Sequence, residues 1–490
     1  MTVLGEPRTA DERRTPDRRG AVDGGAWRAR ARRWWPAAWG AVLGAVLFAV
    51  AHRAMPDDAL ISLSFARNLA EHGQWALTTG IEVHTATSPL NIWLLAALHL
   101  LTGGHAFLAA GALLAITLAA TALWLRDLGG DRVALLGTAL LASSPLLGSA
   151  VGLETYLAVA VLVGLVRYAA DGRWLPAGVL LGAAVLTRPD LLAAALVALL
   201  VLLPGAPRLW RALPVGLAVA LPWHLFAWWR FGSAWPHTVP IKGNGRGWFD
   251  GSFYLWNSWP DFFLVSFTGV TVVALATAAG GLAGAAWSLW TRRWVPVALA
   301  AGAVVHFAAL GLSHAPPMMY YAGPPIGALA VALVLAADTV RWGWIVPAGL
   351  VAAGVAVSVL HGPGWADGLA PVRQNWATNP EYEAIARDLP TDGVVYSSTE
   401  IGALAFYCQD RGCTVVDGVL ADPGRVDQRW VAPWRAERPW TALNYRHYRP
   451  PAPIPARWRL EMGPAEPRPG DWPITRAPGV HQVARLVPEG

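Results

Sequence analysis

The sequence predicts a mainly α, polytopic membrane protein of about 11 transmembrane helices, with a small C-terminal α/β domain outside the cytoplasm. Three observations carry that reading. Of 490 residues, 55% are apolar and only 14% charged, and a soluble chain of this length needs far more surface charge. Apolar runs recur from residue 36 to residue 361, and beyond about 362 the composition turns soluble. Arginines gather in alternate connections between the runs, which is the positive-inside pattern.

Residues 1–35 hold nine arginines against five acids and are expected to form a disordered, basic cytoplasmic tail. Arg32-Arg33 before an apolar run could mark a twin-arginine signal, but the many later runs favour a signal anchor. The transmembrane domain is expected over 36–361. Its spans fall near 36–54, 105–125, 132–150, 155–170, 175–188, 190–204, 212–229, 264–290, 294–312, 322–337 and 344–361. The shorter runs must tilt or thin the bilayer. With the tail inside, the cytoplasmic turns become 126–132, 167–173, 208–211, 292–293 and Arg341, each bearing arginine. The opposite loops are 55–104, the turn at Glu154, the turn at 188–190, 230–263 and 313–321, richer in carboxylates, histidines and aromatics. The net charge of +6 thus follows membrane topology, and nucleic acid is not an expected partner. The 28 tryptophans suit interfacial belts.

The first external loop, 55–104, opens on the adjacent carboxylates Asp57 and Asp58. Ile61, Phe65 and Leu69 follow at helical spacing, which predicts an amphipathic helix lying on the membrane surface. The run 89–102 is too short to span and reads as a second surface helix. In the soluble part, 362–490, the residues Gly393-Val394-Val395-Tyr396-Ser397 and Thr414-Val415-Val416-Asp417 read as strands, with a helix over 400–407 between them. The last 60 or so residues, rich in Pro, Arg and Trp, show little periodicity and are expected to wrap or trail. Cys408 and Cys413 lack the spacing of a metal site, and an exported domain would favour a disulfide between them.

Ionisable groups at a membrane boundary are costly and so point to function. Asp57 and Asp58 come first: helix capping accounts well for one of them and less well for two. Glu154 begins a span on the same face and has the same alternative. Arg188 breaks the positive-inside rule and needs an anionic partner, for which Asp190 in the same turn suffices. His237 and Lys242 lie in the longest middle loop, where Lys242 could bind phosphate as a point charge or simply be solvated. His84, His314, Tyr320 and Tyr321 could line the same cavity. Neither a Walker loop, a GxGxxG nor an HExxH occurs, so nucleotide-driven transport and zincin proteolysis have no support.

Asp57-Asp58-Ala59-Leu60-Ile61-Ser62, Phe65-Ala66-Arg67-Asn68-Leu69 and Thr87-Ser88-Pro89-Leu90 together resemble the first external loop of GT-C membrane glycosyltransferases. The resemblance is closest to the actinobacterial terminal arabinofuranosyltransferases of cell-wall arabinan. Gly152-Leu153-Glu154-Thr155, Leu186-Thr187-Arg188-Pro189-Asp190, the Phe231-Gly232 to Lys242 loop, and Glu400-Ile401-Gly402 with Asp417 are similar to later landmarks of that group. The chain departs from the pattern at His84-Thr85-Ala86-Thr87, where Gly-Tyr-Thr is usual, and at Pro236-His237-Thr238, where Pro-Asn-Thr is usual.

The resemblance implies a plasma-membrane enzyme that moves arabinofuranose, or a related pentose or hexose, from a polyprenyl-phosphate donor to a cell-envelope glycan. The work would take place on the external face, among membrane lipid. Asp57 is expected as general base, with Asp58 its partner or, with Asp57, the ligand of a possible divalent cation. Glu154, Arg188, Asp190, His237, Lys242, Tyr320 and Tyr321 are expected to bind substrate, Arg188 and Lys242 supplying charge to the leaving phosphate. The alternative is a lipid or polysaccharide transporter or flippase without catalysis, which would gather its polar groups at the midplane. A scaffold for cell-wall assembly would scatter them.

The topology is open to direct test. Reporter fusions at Gly20 and Gly364 are expected to report opposite sides of the membrane, and the same side for both would mean a miscounted span.

Overall fold

The structure is a computed structural model describing residues 23–243, 267–313, 318–372, 375–477 and 480–489, with side chains omitted before residue 33 and at 242, 243 and 477. The first helix, α1 (Asp23–Ala51), already begins within the stretch expected as tail. Its Gly40 and Gly44 allow it to lie directly on α4 (Ala106–Ser143). A Cβ at Gly40 would come within 2.3 Å of the Leu118 carbonyl oxygen, and one at Gly44 within 2.7 Å of the Ala115 Cα. Small residues spaced by four let two helix backbones approach without side chains between them.

A 3₁₀ turn leads from α1 to α2 (Asp57–His72), which stops at Gly73 in the left-handed region, where the glycine N–H returns to the Asn68 and Leu69 carbonyls. A two-residue-wide hairpin, β1 (Ala76–Thr78) and β2 (Ile81–Glu82), leads to α3 (Pro89–Leu101). The two spans expected at 105–125 and 132–150 are present as two helices, labelled together α4, that meet at Gly130, whose φ of 82° and ψ of −171° leave the helical region. They fold back on each other, so that a Cβ at Gly137 would come within 2.8 Å of the Leu125 side chain. The second ends at Ser143, earlier than expected, because Pro145 starts the short α5 (Pro145–Gly148). There follow α6 (Thr155–Ala170), α7 (Trp174–Thr187), α8 (Leu191–Leu202), α9 (Ala212–Phe231) and α10 (Thr238–Gly243). The bundle closes with α11 (Thr268–Trp290), α12 (Trp294–Leu312), α13 (Met319–Ala337), α14 (Ile345–Leu360) and the short α15 (Gly362–Ala366).

Among the described residues, six helices are long and apolar enough to cross a membrane: α1, α4, α9 with its preceding turn, α11, α12 and α13. Shorter apolar helices, α3, α6, α7, α8 and α14, complete the bundle. At its centre stands α13, buried along its whole length and packed against α4, α6, α11 and α12. The connections expected on one face meet at one end: Arg126 donates to the Arg33 carbonyl, Arg167 pairs with Asp127, and Arg132 lies 3.8 Å from Asp338. The opposite loops meet at the other end, where Arg188 pairs with Glu154, Arg230 pairs with Glu82, and the His237 N–H donates to the His84 carbonyl.

The C-terminal domain begins with α16 (Asn379–Asp388), whose N-terminus carries a Thr378–Glu381 capping box. Then come β3 (Val394–Ser397), α17 (Gly402–Gln409), β4 (Thr414–Val416), α18 (Pro423–Val426) and α19 (Ala432–Glu437). The end of the chain adds β5 (Trp458–Gly463), β6 (Trp472–Ala477) and β7 (Val480–Pro488). They complete a five-stranded mixed sheet of order β4-β3-β5-β7-β6, parallel across β4, β3 and β5 and antiparallel thereafter. The expected trailing segment is therefore corrected. Its strand signal, Trp458-Arg459-Leu460-Glu461-Met462, alternates with period two, and Leu460 and Met462 are buried while Arg459 and Glu461 face solvent.

A second correction concerns α2. Instead of lying on a membrane surface it is sandwiched between the bundle and α17, with Leu60, Leu63 and Phe65 fully buried. Ala59, Ser62, Ser64 and Ala66 are small enough to let neighbours close over the face that the amphipathic reading left open.

Cys408 and Cys413 form a disulfide, with Cα atoms 4.9 Å apart, linking the end of α17 to the approach to β4. Alkylation of the purified protein is expected to modify neither thiol before reduction and both after it, as read by intact mass. Two modified thiols without reduction would show the bridge to be absent.

Candidate active site

The loops at one end of the bundle, the N-terminus of α2 and the C-terminal domain close around a cluster of carboxylates, tyrosines and one arginine. Asp57 and Asp58 occupy the first turn of α2, and consecutive helical residues point about 100° apart. Asp57 therefore faces α17, and Asp58 faces α13. The buried Asp57 carboxylate accepts from the Gly402 N–H at 3.0 Å and from the Ala403 N–H at 2.7 Å. A Cβ at Gly402 would come within 2.2 Å of the Asp57 carbonyl oxygen, so only glycine allows this approach. The Asp57 N–H in turn donates to Asn375 Oδ1 at 3.1 Å. Burial pushes the Asp57 carboxyl up to about 7; the Ala403 and Gly402 amides pull the other way, and the Asp58 charge adds to the rise.

Asp58 is half-buried and shares a side-chain hydrogen bond with Tyr320. Tyr320 and Tyr321 open α13 with ring centroids 4.8 Å apart, and the Arg188 guanidinium lies 4.9 Å from the Tyr321 centroid and 6.0 Å from that of Tyr320. Arg188 sits between α7 and α8 and is buried. Its Nη1 donates to Glu154 at 2.7 Å, while Nε and Nη2 form a fork on Asp190 at 3.0 and 2.8 Å. Burial works against the Arg188 charge, but Asp190 and Glu154 hold its pKa above the ordinary arginine value. Burial likewise opposes the Asp190 charge, and Arg188, helped by His306, holds that carboxyl well below the usual range. His306 of α12, fully buried, stands 3.2 Å from Asp190.

Of the residues singled out in the sequence, the structure thus brings together Asp57, Asp58, Glu154, Arg188, Asp190, Tyr320 and Tyr321. His237 belongs to a second cluster, with its ring 5.9 Å from that of His84 and 5.2 Å from that of Tyr448, while His84 stacks on Phe231 at 5.0 Å. Burial keeps His84 well below the ordinary histidine value, and burial takes His237 down to about 4, so both rings are neutral at pH 7. The backbone of Lys242 lies in α10, but its side chain, and all of His314, lie outside the described residues.

Two members of the site were missed. Glu400 accepts from the Trp376 N–H at 2.9 Å and from the Tyr382 hydroxyl, and burial, then Asp57, push its carboxyl well above the usual range. It appeared in the sequence only inside the Glu400-Ile401-Gly402 landmark. His306 had a clear signal, a lone histidine in an apolar span. Among the described residues, no group of three or more His, Cys, Asp or Glu side chains is placed to hold a metal ion. At the two carboxylates expected to hold a cation, Asp57 has each oxygen on one backbone amide and Asp58 shares a hydrogen bond with Tyr320.

No family model matches the chain, and no curated protein sequence matches it. Its fold is similar to that of solved structures. The crystal structure of ArnT from Cupriavidus metallidurans bound to undecaprenyl phosphate aligns with a TM-score of 0.57 at 14% identity, covering 94% of this chain and 98% of that one. The apo state of the same protein aligns with a TM-score of 0.58 at 15% identity and the same coverage. The chain therefore shares its fold with these structures, a helical domain with helices long and apolar enough to cross a membrane and a small C-terminal domain of mixed sheet and helices.

The buried carboxyl of Asp57 sets a pH dependence whose sign is fixed. Between about 4 and about 7 the folded protein keeps a proton that the unfolded chain has released, so stability falls as pH rises through that window. The full effect is on the order of 4 kcal/mol. Asp57→Asn is expected to flatten the slope only in part, since burial raises Glu400 and Asp417 with the same sign. Thermal unfolding in detergent from pH 4 to pH 8 measures this, and an unchanged slope in the variant would exclude Asp57 as a source. Asp190 has the opposite sign, and its contribution is lost only in acid below that window.

Proposed function

We propose that the chain is an integral-membrane glycosyltransferase that moves a sugar from a polyprenyl-phosphate donor to a hydroxyl of a cell-envelope glycan on the external face. The observation that carries this is a half-buried carboxylate, Asp58, set against Tyr320 and an arginine-carboxylate network at one end of the fold shared with ArnT. The neighbouring ArnT structure holds undecaprenyl phosphate, which supports a polyprenyl-linked donor here. Arabinofuranose, or a related pentose or hexose, is the sugar suggested by the motifs of the first loop. The site groups sit at loop ends and at the first turns of α2 and α13, which favours chemistry at the bilayer surface over passage through a midplane site.

The chemistry needs one proton removed and one charge stabilised. As the acceptor oxygen bonds to the anomeric carbon, its proton passes to a carboxylate, and the bond from that carbon to the donor phosphate oxygen breaks with its electron pair. In this reading Asp58 takes the first task, a role supported by its partial burial and its hydrogen bond with Tyr320. Asp57, held on two amides of α17, acts as a positioning residue in this reading, exchanging the roles expected from sequence order. The phosphate leaves as an anion and needs no proton, only positive charge nearby. Arg188 contributes through the N–H groups that Glu154 and Asp190 do not take, and Lys242 is proposed as the second cation.

The test is turnover and donor affinity of purified variants with polyprenyl-phosphate sugars. Asp58→Asn is expected to cut turnover by roughly 10²–10⁴-fold with donor affinity retained. Arg188→Gln is expected to weaken donor binding as well as turnover. Near-normal turnover in Asp58→Asn would remove the base from the proposal, and a wild-type protein that consumes no such donor would overturn the transferase reading in favour of transport.

A further inference from the structure

Among the described residues past 360, only three large apolar side chains are exposed: Trp440 at 67%, Leu443 at 70%, and Val480. The first two share one short 3₁₀ turn, Pro439–Leu443. A soluble domain that otherwise hides its apolar side chains has thus concentrated them at one point. That point lies against the end of α9, a helix long and apolar enough to cross the membrane, whose Leu217, Leu225 and Trp229 are exposed as well.

The junction is firmly built. The Trp228 indole N–H donates to the Leu443 carbonyl at 3.1 Å, and the Trp235 and Trp440 rings lie 6.0 Å apart. Asn444 accepts from the Ala234 N–H at 2.9 Å and donates to Ser233 Oγ at 2.8 Å. Gly232, at φ 74°, lies so close to the Tyr448 backbone that a Cβ would meet it at 2.5 Å. Between α9 and this turn lies a cavity of about 410 Å³, walled by Leu221, Leu225, Trp228, Trp235, Trp440 and Leu443. Its polar neighbours are already engaged: Asn444 as above, and His224 with the Ala234 carbonyl at 2.9 Å. Such walls suit a hydrocarbon chain. Around the rim the sequence Arg435 to Arg449 holds four arginines and one acid, with Arg446 and Arg449 exposed.

We propose that the turn Pro439–Leu443 is a membrane footing, through which the C-terminal domain stands in the bilayer surface. Trp440 and Leu443 enter the boundary between headgroups and acyl chains, a phospholipid acyl chain fills the cavity beside α9, and Arg446 and Arg449 meet anionic headgroups. An aromatic ring and a leucine beside a spanning helix, flanked by exposed arginines, match the chemistry of that layer and of no aqueous one. The apolar surface of the footing continues that of α9, so one solvent covers both. The inference does not depend on the enzymatic reading.

The test uses the full chain in vesicles of phosphatidylcholine and phosphatidylglycerol. A nitroxide is attached at Trp440→Cys or, separately, Leu443→Cys; the bonded Cys408–Cys413 pair does not compete for label. The exposed α9 position Leu217→Cys serves as the lipid reference and Glu466→Cys as the aqueous one. Collisional access to oxygen and to a water-soluble nickel chelate is then compared. The oxygen-to-nickel ratio at 440 and 443 is expected to stand several-fold above that at 466 and towards that at 217. A ratio like that at 466 for both sites would overturn the footing. So would shielding from both reagents, which would mean that a protein partner or a second copy covers the patch.

Discussion

A single buried carboxylate joins the two halves of this molecule. Asp57 belongs to the first turn of α2 and accepts from the first turn of α17, so the positive ends of two helices converge on one side chain. Both helix ends leave N–H groups without intrahelical partners, and Asp57 serves two of those of α17. Burial raises the energetic cost of its charge, and the convergence of donors offsets part of it. At the other end of the same pair of helices, Arg67 pairs with Asp410, and Thr78 donates to the Val415 carbonyl at 2.6 Å. The contact is thus pinned at both ends, and α2 is held as a rigid strut between bundle and sheet.

That strut explains why two adjacent acids take different roles. With Asp57 committed to α17, helical geometry turns Asp58 towards α13, where Tyr320 waits at the first turn of the most deeply buried helix. A flexible loop could present a carboxylate near the same place, but it could not fix its direction. Here the direction is set by a helix clamped on both sides. Glu400 reinforces the clamp from the C-terminal domain: it gathers the Trp376 N–H and the Tyr382 hydroxyl one residue before Ile401 leads into α17.

How much of this the sequence shows depends on the range of the interaction. Apolar runs and arginine-bearing turns are local, so the bundle and its two ends were legible; the pair Arg188–Asp190 was legible from its spacing, and the pair Cys408–Cys413 from the expected export of its domain. The turn expected at 126–132 is present, with Gly130 as the residue at which one helix stops and the next begins. The fate of α2 was not legible, because what covers it lies more than 340 residues along the chain at Gly402 and Ala403. The strands β5 to β7 were obscured by their Pro- and Arg-rich surroundings, although Leu460 and Met462 alternate inward as a strand requires. Glu154 and Arg188 were each visible as misplaced charges, but their ion pair across 34 positions needed the fold.

The proposed reaction puts a further demand on the end of the chain. Three of the five N–H donors of Arg188 are spent on Glu154 and Asp190, so its charge is already shared between two carboxylates before any phosphate arrives. With Asp57, Asp58 and Glu400 also close by, the described groups of the site are mainly acidic, and a leaving phosphate requires a cation whose charge has not been spent. The proposed source is Lys242, carried on the stretch that follows Phe231. That stretch does not hold itself in place: Asn444 grips Ser233 and Ala234, Tyr448 packs on Gly232 and faces the His237 ring, and the His237 N–H reaches the His84 carbonyl. The C-terminal segment therefore holds Asp57 through α17, and holds the stretch from Gly232 to His237 through Asn444 and Tyr448.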